Sequence, residues 1–162
     1  LVNLEEYPRL KTYLETNKER LSRRYVAKKN KAAWYRTIDK LTPGLLDRDL
    51  LLIPDMAVQP DPILSHGKYP HHNCYWITSD EWDLEVLGGL LMADTTRRFI
   101  DALGVKMRGT LRFQAQYLRL VHMPEYIQIS DTNKLGLSRA FNEKDRALAT
   151  KFAEAAYKEA ME

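Results

Sequence analysis

Cys74 is the only cysteine in a chain of 162 residues. An internal disulfide is therefore excluded, and a chain without one suits the cytoplasm. No stretch approaches the ~18 apolar residues of a membrane-spanning helix, and the first residues have no signal-peptide pattern, so no membrane partner is expected. The Gly-x-Ser-x-Gly elbow of serine hydrolases is missing. So are the Gly-x-x-x-x-Gly-Lys-Ser/Thr and Gly-x-Gly-x-x-Gly loops that cradle phosphates. No lysine has an acid two positions before it, as many restriction nucleases require, and Pro54-Asp55 then reads as a strand end. His71-His72-x-Cys74, with His66 nearby and His122 distant, lacks the paired spacing of structural zinc sites. Neighbouring strand residues also point to opposite faces, so His71 and His72 make poor co-ligands. No catalytic and no metal-ligating residue is assigned.

Charge is unevenly spread. The net is only +3, yet Arg20, Arg23, Arg24, Lys28, Lys29, Lys31 and Arg36 lie in one acid-free segment, and Lys106, Arg108, Arg112 and Arg119 in another. These hold +7 and +4, leaving −8 for the remainder. Concentrated basic segments on a nearly balanced chain mark a polyanion site. The stretch 106–124 adds Gln114 and Gln116, whose amides suit a two-point contact with an adenine edge. It also has the flat faces of Phe113 and Tyr117. Leu111, Phe113 and Ala115 alternate with Arg112, Gln114 and Gln116, which predicts a strand with one polar face.

The remaining pattern predicts one α+β domain, with a small, mostly antiparallel sheet packed with three or more helices. A first helix is expected over about 4–25, with Leu10, Tyr13, Leu14 and Leu21 on its apolar stripe and Pro8 near its start. Trp34, Tyr35 and Ile38 then turn back toward a core. Pro43-Gly44 marks a turn. Strands are expected at 50–53 and 73–78, separated by a loop over 59–70. Ser79, Asp80 and Glu81 would cap a helix over 82–102, interrupted by the costly pair Gly88-Gly89, which implies a close neighbour. Trp76, Trp82, Leu84, Leu87 and Leu91 are read as core. Residues 126–129 look like a short strand or extended link, and a last helix starts near Asn142 with Asp145 as cap. The chain starts at Leu1 rather than Met, so a piece of a longer protein is expected.

Several ordered blocks resemble a known family. Arg24-Tyr-Val-Ala-Lys-Lys-Asn30, Trp34-Tyr-Arg36, Leu52-Ile-Pro-Asp55, Pro70-His-His-Asn73, Ile77-Thr-Ser-Asp-Glu-Trp-Asp83, Leu87-Gly-Gly-Leu-Leu91, Met107-Arg-Gly109 and 111–119 are similar to the C-terminal specificity domain of TaqI-like adenine-specific DNA methyltransferases of restriction-modification systems. The endings Ala140-Phe141 to Asp145-Arg146 and Ala156-Tyr157 resemble it too, so most of 5–157 is covered. Thr110 departs from a Gly-Tyr pair that often follows the Arg-Gly, and Lys31-Ala-Ala33 replaces a Pro before Trp34-Tyr35.

The resemblance implies a target-recognition domain spanning 1–162, the C-terminal fragment of a longer methyltransferase. S-adenosylmethionine would be bound, and adenine handled by an Asn-Pro-Pro-Tyr motif, in a separate catalytic domain of the same polypeptide; no cofactor is expected in this segment. The partner is double-stranded DNA. Lys28, Lys29, Lys31, Arg36 and Lys106 would mainly meet phosphate. Arg108, Arg112, Gln114 and Gln116 would meet base edges or backbone, with Tyr69, His71 and His72 edging the same groove. From another class, the chain would be a protein-interaction module that docks its basic faces on an acidic partner or a sibling subunit.

Overall fold

Asp55 sits where one extended segment passes from one small sheet into another. In the computed structural model, which describes residues 1–37, 41–104 and 106–161, strand β1 (Leu50–Pro54) is followed directly by β2 (Met56–Ala57). β3 (Ile63–Ser65) and β4 (Cys74–Ile77) flank β1, all antiparallel. A second antiparallel sheet has order β2-β6-β5, using β5 (Lys106–Met107) and β6 (Thr110–Arg112). The α+β class is as expected, with the strand content divided between two sheets.

Asp55 serves both ladders. Its N–H donates to the carbonyl of Asn73 at 2.9 Å, and its carbonyl accepts from Phe113 N–H at 2.7 Å. Far from being only a strand end, it is the corner that joins the sheets.

The chain separates into two compact units, 1–42 and 43–162. In the first, α1 (Pro8–Thr16), α2 (Lys18–Ser22) and α3 (Tyr25–Lys29) replace the single helix expected over 4–25. The break falls at Asn17, whose side-chain amide donates to Tyr13 carbonyl at 2.8 Å. Short polar side chains compete for backbone groups in this way and favour helix ends. Leu10 and Tyr13 stay exposed, so their stripe is not a core face. Among the described residues Ala27 and Ala33 are the buried apolar ones here, and Arg24 donates to the carbonyls of Trp34 and Arg36, both at 3.0 Å. Ile38 lies outside the described residues.

In the second unit the expected helix over 82–102 is two, α4 (Leu84–Met92) and α5 (Asp94–Ala102), separated at the extended Ala93. The cap of α4 is Asp83, which accepts from Glu85 N–H at 2.8 Å and Val86 N–H at 3.3 Å. Ser79 Oγ instead holds the preceding turn, accepting from the amides of Glu81 and Trp82. Carbonyls at the break find partners: Thr96 Oγ1 donates to Leu90 O at 2.9 Å, and the Arg146 guanidinium reaches Met92 O, while its other nitrogen donates to Pro60 O of the loop before β3. Thr96→Val should cost about 0.5–1.5 kcal/mol, since Leu90 O loses one of its two hydrogen bonds and keeps that from Ala93 N–H at 3.3 Å; urea denaturation would measure it.

α4 is buried all round apart from Glu85, as a central helix should be. It packs against α7 (Asp131–Glu143) and α8 (Arg146–Glu159), capped by Ser130 and Asp145. A Cβ on Gly88 would lie 2.5 Å from the Phe141 ring, and one on Gly89 2.5 Å from Leu137 O, so a close neighbour is indeed the reason for this pair. The sequence pattern missed α7 and placed Asn142 at a helix start, whereas it lies in the last turn of α7 and donates to Glu85 at 2.8 Å. Residues 126–128 form a 3₁₀ turn rather than a strand, and β3 lies inside the expected 59–70 loop. Trp76 is not core. It stands in register with Leu52 and Ile63, and Trp76 and Ile63 are exposed on the outer row of the first sheet.

Candidate nucleic-acid interface

The stretch 106–119 is not one strand. It is a tight hairpin, β5 and β6, followed by a short helix, α6 (Ala115–Leu118). The two turn residues, Arg108 and Gly109, have φ of +51° and +82°. Two successive positive values are what a type I′ turn needs, and its twist matches the flanking strands. Glycine suits the second position; arginine at the first is uncommon and strained. Arg108 is exposed and has no partner among the described residues.

The alternation ends at Phe113. Its ring is fully buried in the core, which corrects the reading of a face open for stacking. Gln114 then stands at the start of α6 with extended backbone, and its side-chain oxygen accepts from Gln116 Nε2 at 3.3 Å. The amides thus lie side by side, by way of a helical turn rather than strand period two.

Two cations predicted for DNA are held by acids from outside the basic segment. Lys106 Nζ lies 2.7 Å from Asp101 Oδ1 at the end of α5. Arg112 is gripped on two nitrogens by Asp55, Nε–Oδ1 being 3.1 Å. The hydrogen bond from Lys106 is the main cause holding the Asp101 carboxyl below its usual range, and Asp55 likewise raises the Arg112 guanidinium. A depressed carboxyl stabilises the fold above its unfolded value, and that stabilisation is lost as pH falls through the lowered folded value. Acidification below about pH 4 should therefore release Lys106 and loosen the hairpin first, visible as faster amide exchange at 106–111.

The Asp55 corner also fixes the His-rich loop, because Asn73 O accepts from Asp55 N–H and follows His72 directly. The rings of His71 and His72 face each other at 4.1 Å, both residues exposed, and Tyr69 is exposed nearby in sequence. One backbone junction thus ties the segment 71–73 to 112–114. Among the described residues no three His, Cys, Asp or Glu side chains converge as a metal site would require.

In the first unit, Lys28 and Lys29 close α3, Lys31 opens a 3₁₀ turn, and Arg36 lies beyond it; all four are exposed. Lys29 Nζ stands 4.8 Å over the Tyr25 ring and Lys18 Nζ 5.4 Å over Trp34. Trp34 is half-buried, edge-on to Tyr35, in keeping with a packing role. What sequence reasoning missed is Asp55 and Asp101. Their signal was spatial, since each acid lies outside the basic segment that it neutralises.

No protein-family model matches the chain. Curated relatives do. It is 44% identical over 147 residues to the type II methyltransferase M.PaeR7I of Pseudomonas aeruginosa, a match covering 90% of this chain and 26% of that protein. It is 41% identical over 136 residues to the type II methyltransferase M.BstVI of Geobacillus stearothermophilus, covering 83% and 24%. With the type II methyltransferase M.XhoI of Xanthomonas vasicola the identity is 39% over 153 residues, covering 93% and 28%. The chain thus spans about a quarter of the length of the curated relatives it matches, and nearly all of it is similar to a part of these type II methyltransferases.

Proposed function

We propose that this chain is the target-recognition part of an adenine-specific, S-adenosylmethionine-dependent DNA methyltransferase of a restriction-modification system, acting in the cytoplasm. The observation that carries the reading is similarity along about nine-tenths of the chain to only a quarter of M.PaeR7I. A segment of that proportion fits one functional part of a larger enzyme. Its partner is double-stranded DNA, and the cofactor and the chemistry on the flipped base belong to a catalytic part of the same polypeptide. Residues 1–162 would act as one recognition segment.

Division of labour among the side chains follows from their tethering. Lys28, Lys29, Lys31, Arg36 and Arg108 are exposed on flexible stems and suit phosphate. Gln114 and Gln116, paired beside the sheet corner, suit base edges. Lys106 is available to phosphate only when it leaves Asp101, so Asp101→Asn should raise affinity for duplex DNA.

Fluorescence anisotropy of a labelled duplex titrated with the chain, from low to high salt, tests the reading. Affinity should fall steeply with salt, and each of Lys28→Ala, Lys29→Ala and Arg36→Ala should reduce the log–log slope by about one. Absence of binding at low salt would overturn it. Binding to an acidic protein without competition by DNA would instead favour a docking module.

A further inference from the structure

We infer that Asp55 and Arg112 form a fixed guanine reader: Asp55 holds one edge of the guanidinium, and the other edge donates to N7 and O6 of a guanine in the major groove. The inference rests on the DNA-binding reading above and adds the base, the groove and a positioning residue.

A guanidinium has five N–H donors in a rigid fork. Asp55 occupies the side edge, through Nε and Nη2 of Arg112. Both hydrogens of Nη1 and one of Nη2 have no partner among the described residues. The guanidinium is not sealed in the interior either, because the Arg112 side chain keeps 20% of its surface exposed. The edge that Asp55 leaves free carries two parallel donors, one on Nη1 and one on Nη2. Two such donors match the adjacent N7 and O6 acceptors on the major-groove edge of guanine, a pattern that no other base presents.

Rigidity separates Arg112 from the other cations. Its side chain is 20% exposed and that of Asp55 is 18% exposed, so neither sweeps freely through solvent. Asp55 is itself fixed by two backbone hydrogen bonds, one to each sheet, and Arg112 lies on β6 beside β2. The donors are thus placed by two ladders and one carboxylate before any DNA arrives, and preorganisation of this kind favours discrimination over mere attraction. Arg108, by contrast, rides on a hairpin tip without a partner among the described residues, where it suits phosphate. Asp55 also makes the reader selective: a carboxylate beside the groove repels phosphate oxygens, which disfavours loose backbone contact by the same arginine.

The test uses the chain and a pool of 30-base-pair duplexes with a randomised centre. Bound duplexes are sequenced, and affinity is then measured for the selected duplex and for copies in which each guanine in turn is 7-deazaguanine, which lacks only the N7 acceptor. One guanine position should be strongly selected, and its 7-deaza form should bind about five- to a hundred-fold more weakly. Arg112→Met, which keeps the length of the side chain and removes every donor, should lose preference at that position alone and become indifferent to the 7-deaza change. Asp55→Ala should lose it as well and steepen the salt slope by about one, because the released guanidinium can meet phosphate, whereas Asp55→Glu should restore part of it. Selection without a guanine position, or a 7-deaza penalty that survives Arg112→Met, would overturn the reader while leaving DNA binding intact. Failure to retain any duplex would overturn both this reader and the proposed function.

Discussion

Replacing Phe113 by Ala is expected to cost about 3–5 kcal/mol, a large part of the roughly 5–15 kcal/mol that holds a domain folded. The ring is fully buried, in the cluster that includes Leu91, Ile100 and Leu111. Its removal leaves a void which the surrounding strands and helices fill only in part. The backbone of the same residue donates to Asp55 O at 2.7 Å, so the cavity opens next to the corner that fixes Arg112. Two readouts should therefore move together. Urea denaturation should show the lost stability, and the chain that remains folded should bind duplex DNA with poorer base selection and an unchanged salt slope. Phe113→Leu, which fills most of the volume, should cost less than ~1.5 kcal/mol and keep selection. A Phe113→Ala protein within 1 kcal/mol of the parent would contradict the burial argument.

The position of Phe113 shows where the sequence was readable. Alternation from Leu111 to Gln116 separated inward from outward residues correctly as far as Phe113, because β6 obeys period two. Beyond it the chain turns into α6, and six residues are too few to distinguish the two periods. The helices 84–92 and 94–102 read as one for a similar reason. Periodicity runs through Ala93, and the break is secured by Thr96 and Arg146, the latter about fifty residues away. α7 escaped notice because its buried face is built partly from Asn133, Gly136 and Ala140, which carry little hydrophobic signal.

The candidate interface was legible in its charges and not in their partners. Runs without acids stand out in a linear chain, and Lys28, Lys29, Lys31 and Arg36 are exposed. Asp55 and Asp101 come from other elements, so only folding reveals that Arg112 and Lys106 are held. Trp76 failed differently. An aromatic in a β-rich run is usually packed, yet its register opposite Leu52 places it on the outer row of a three-stranded sheet.

The glycines of α4 provide the second large effect. Ala is the better helix former by about 1 kcal/mol, so Gly89→Ala would stabilise α4 in isolation. In the folded chain the new methyl would lie 2.5 Å from the Leu137 carbonyl oxygen and 2.9 Å from its carbon. These are backbone atoms of α7 and cannot rotate aside, so α4 and α7 must separate. Overpacking of this kind costs about 1–3 kcal/mol or more, and here it also lifts Leu137 and Phe141 from the centre of the core. The steric term should win, giving a net loss near 2 kcal/mol and a lower thermal midpoint. Gly109→Ala makes the contrast: no atom lies within 4 Å of its added methyl, and only the positive φ resists. Its cost should be about 1–2 kcal/mol of backbone strain, confined to the hairpin tip. If Gly89→Ala were neutral or stabilising, close approach of α4 and α7 would not be what the glycine supplies.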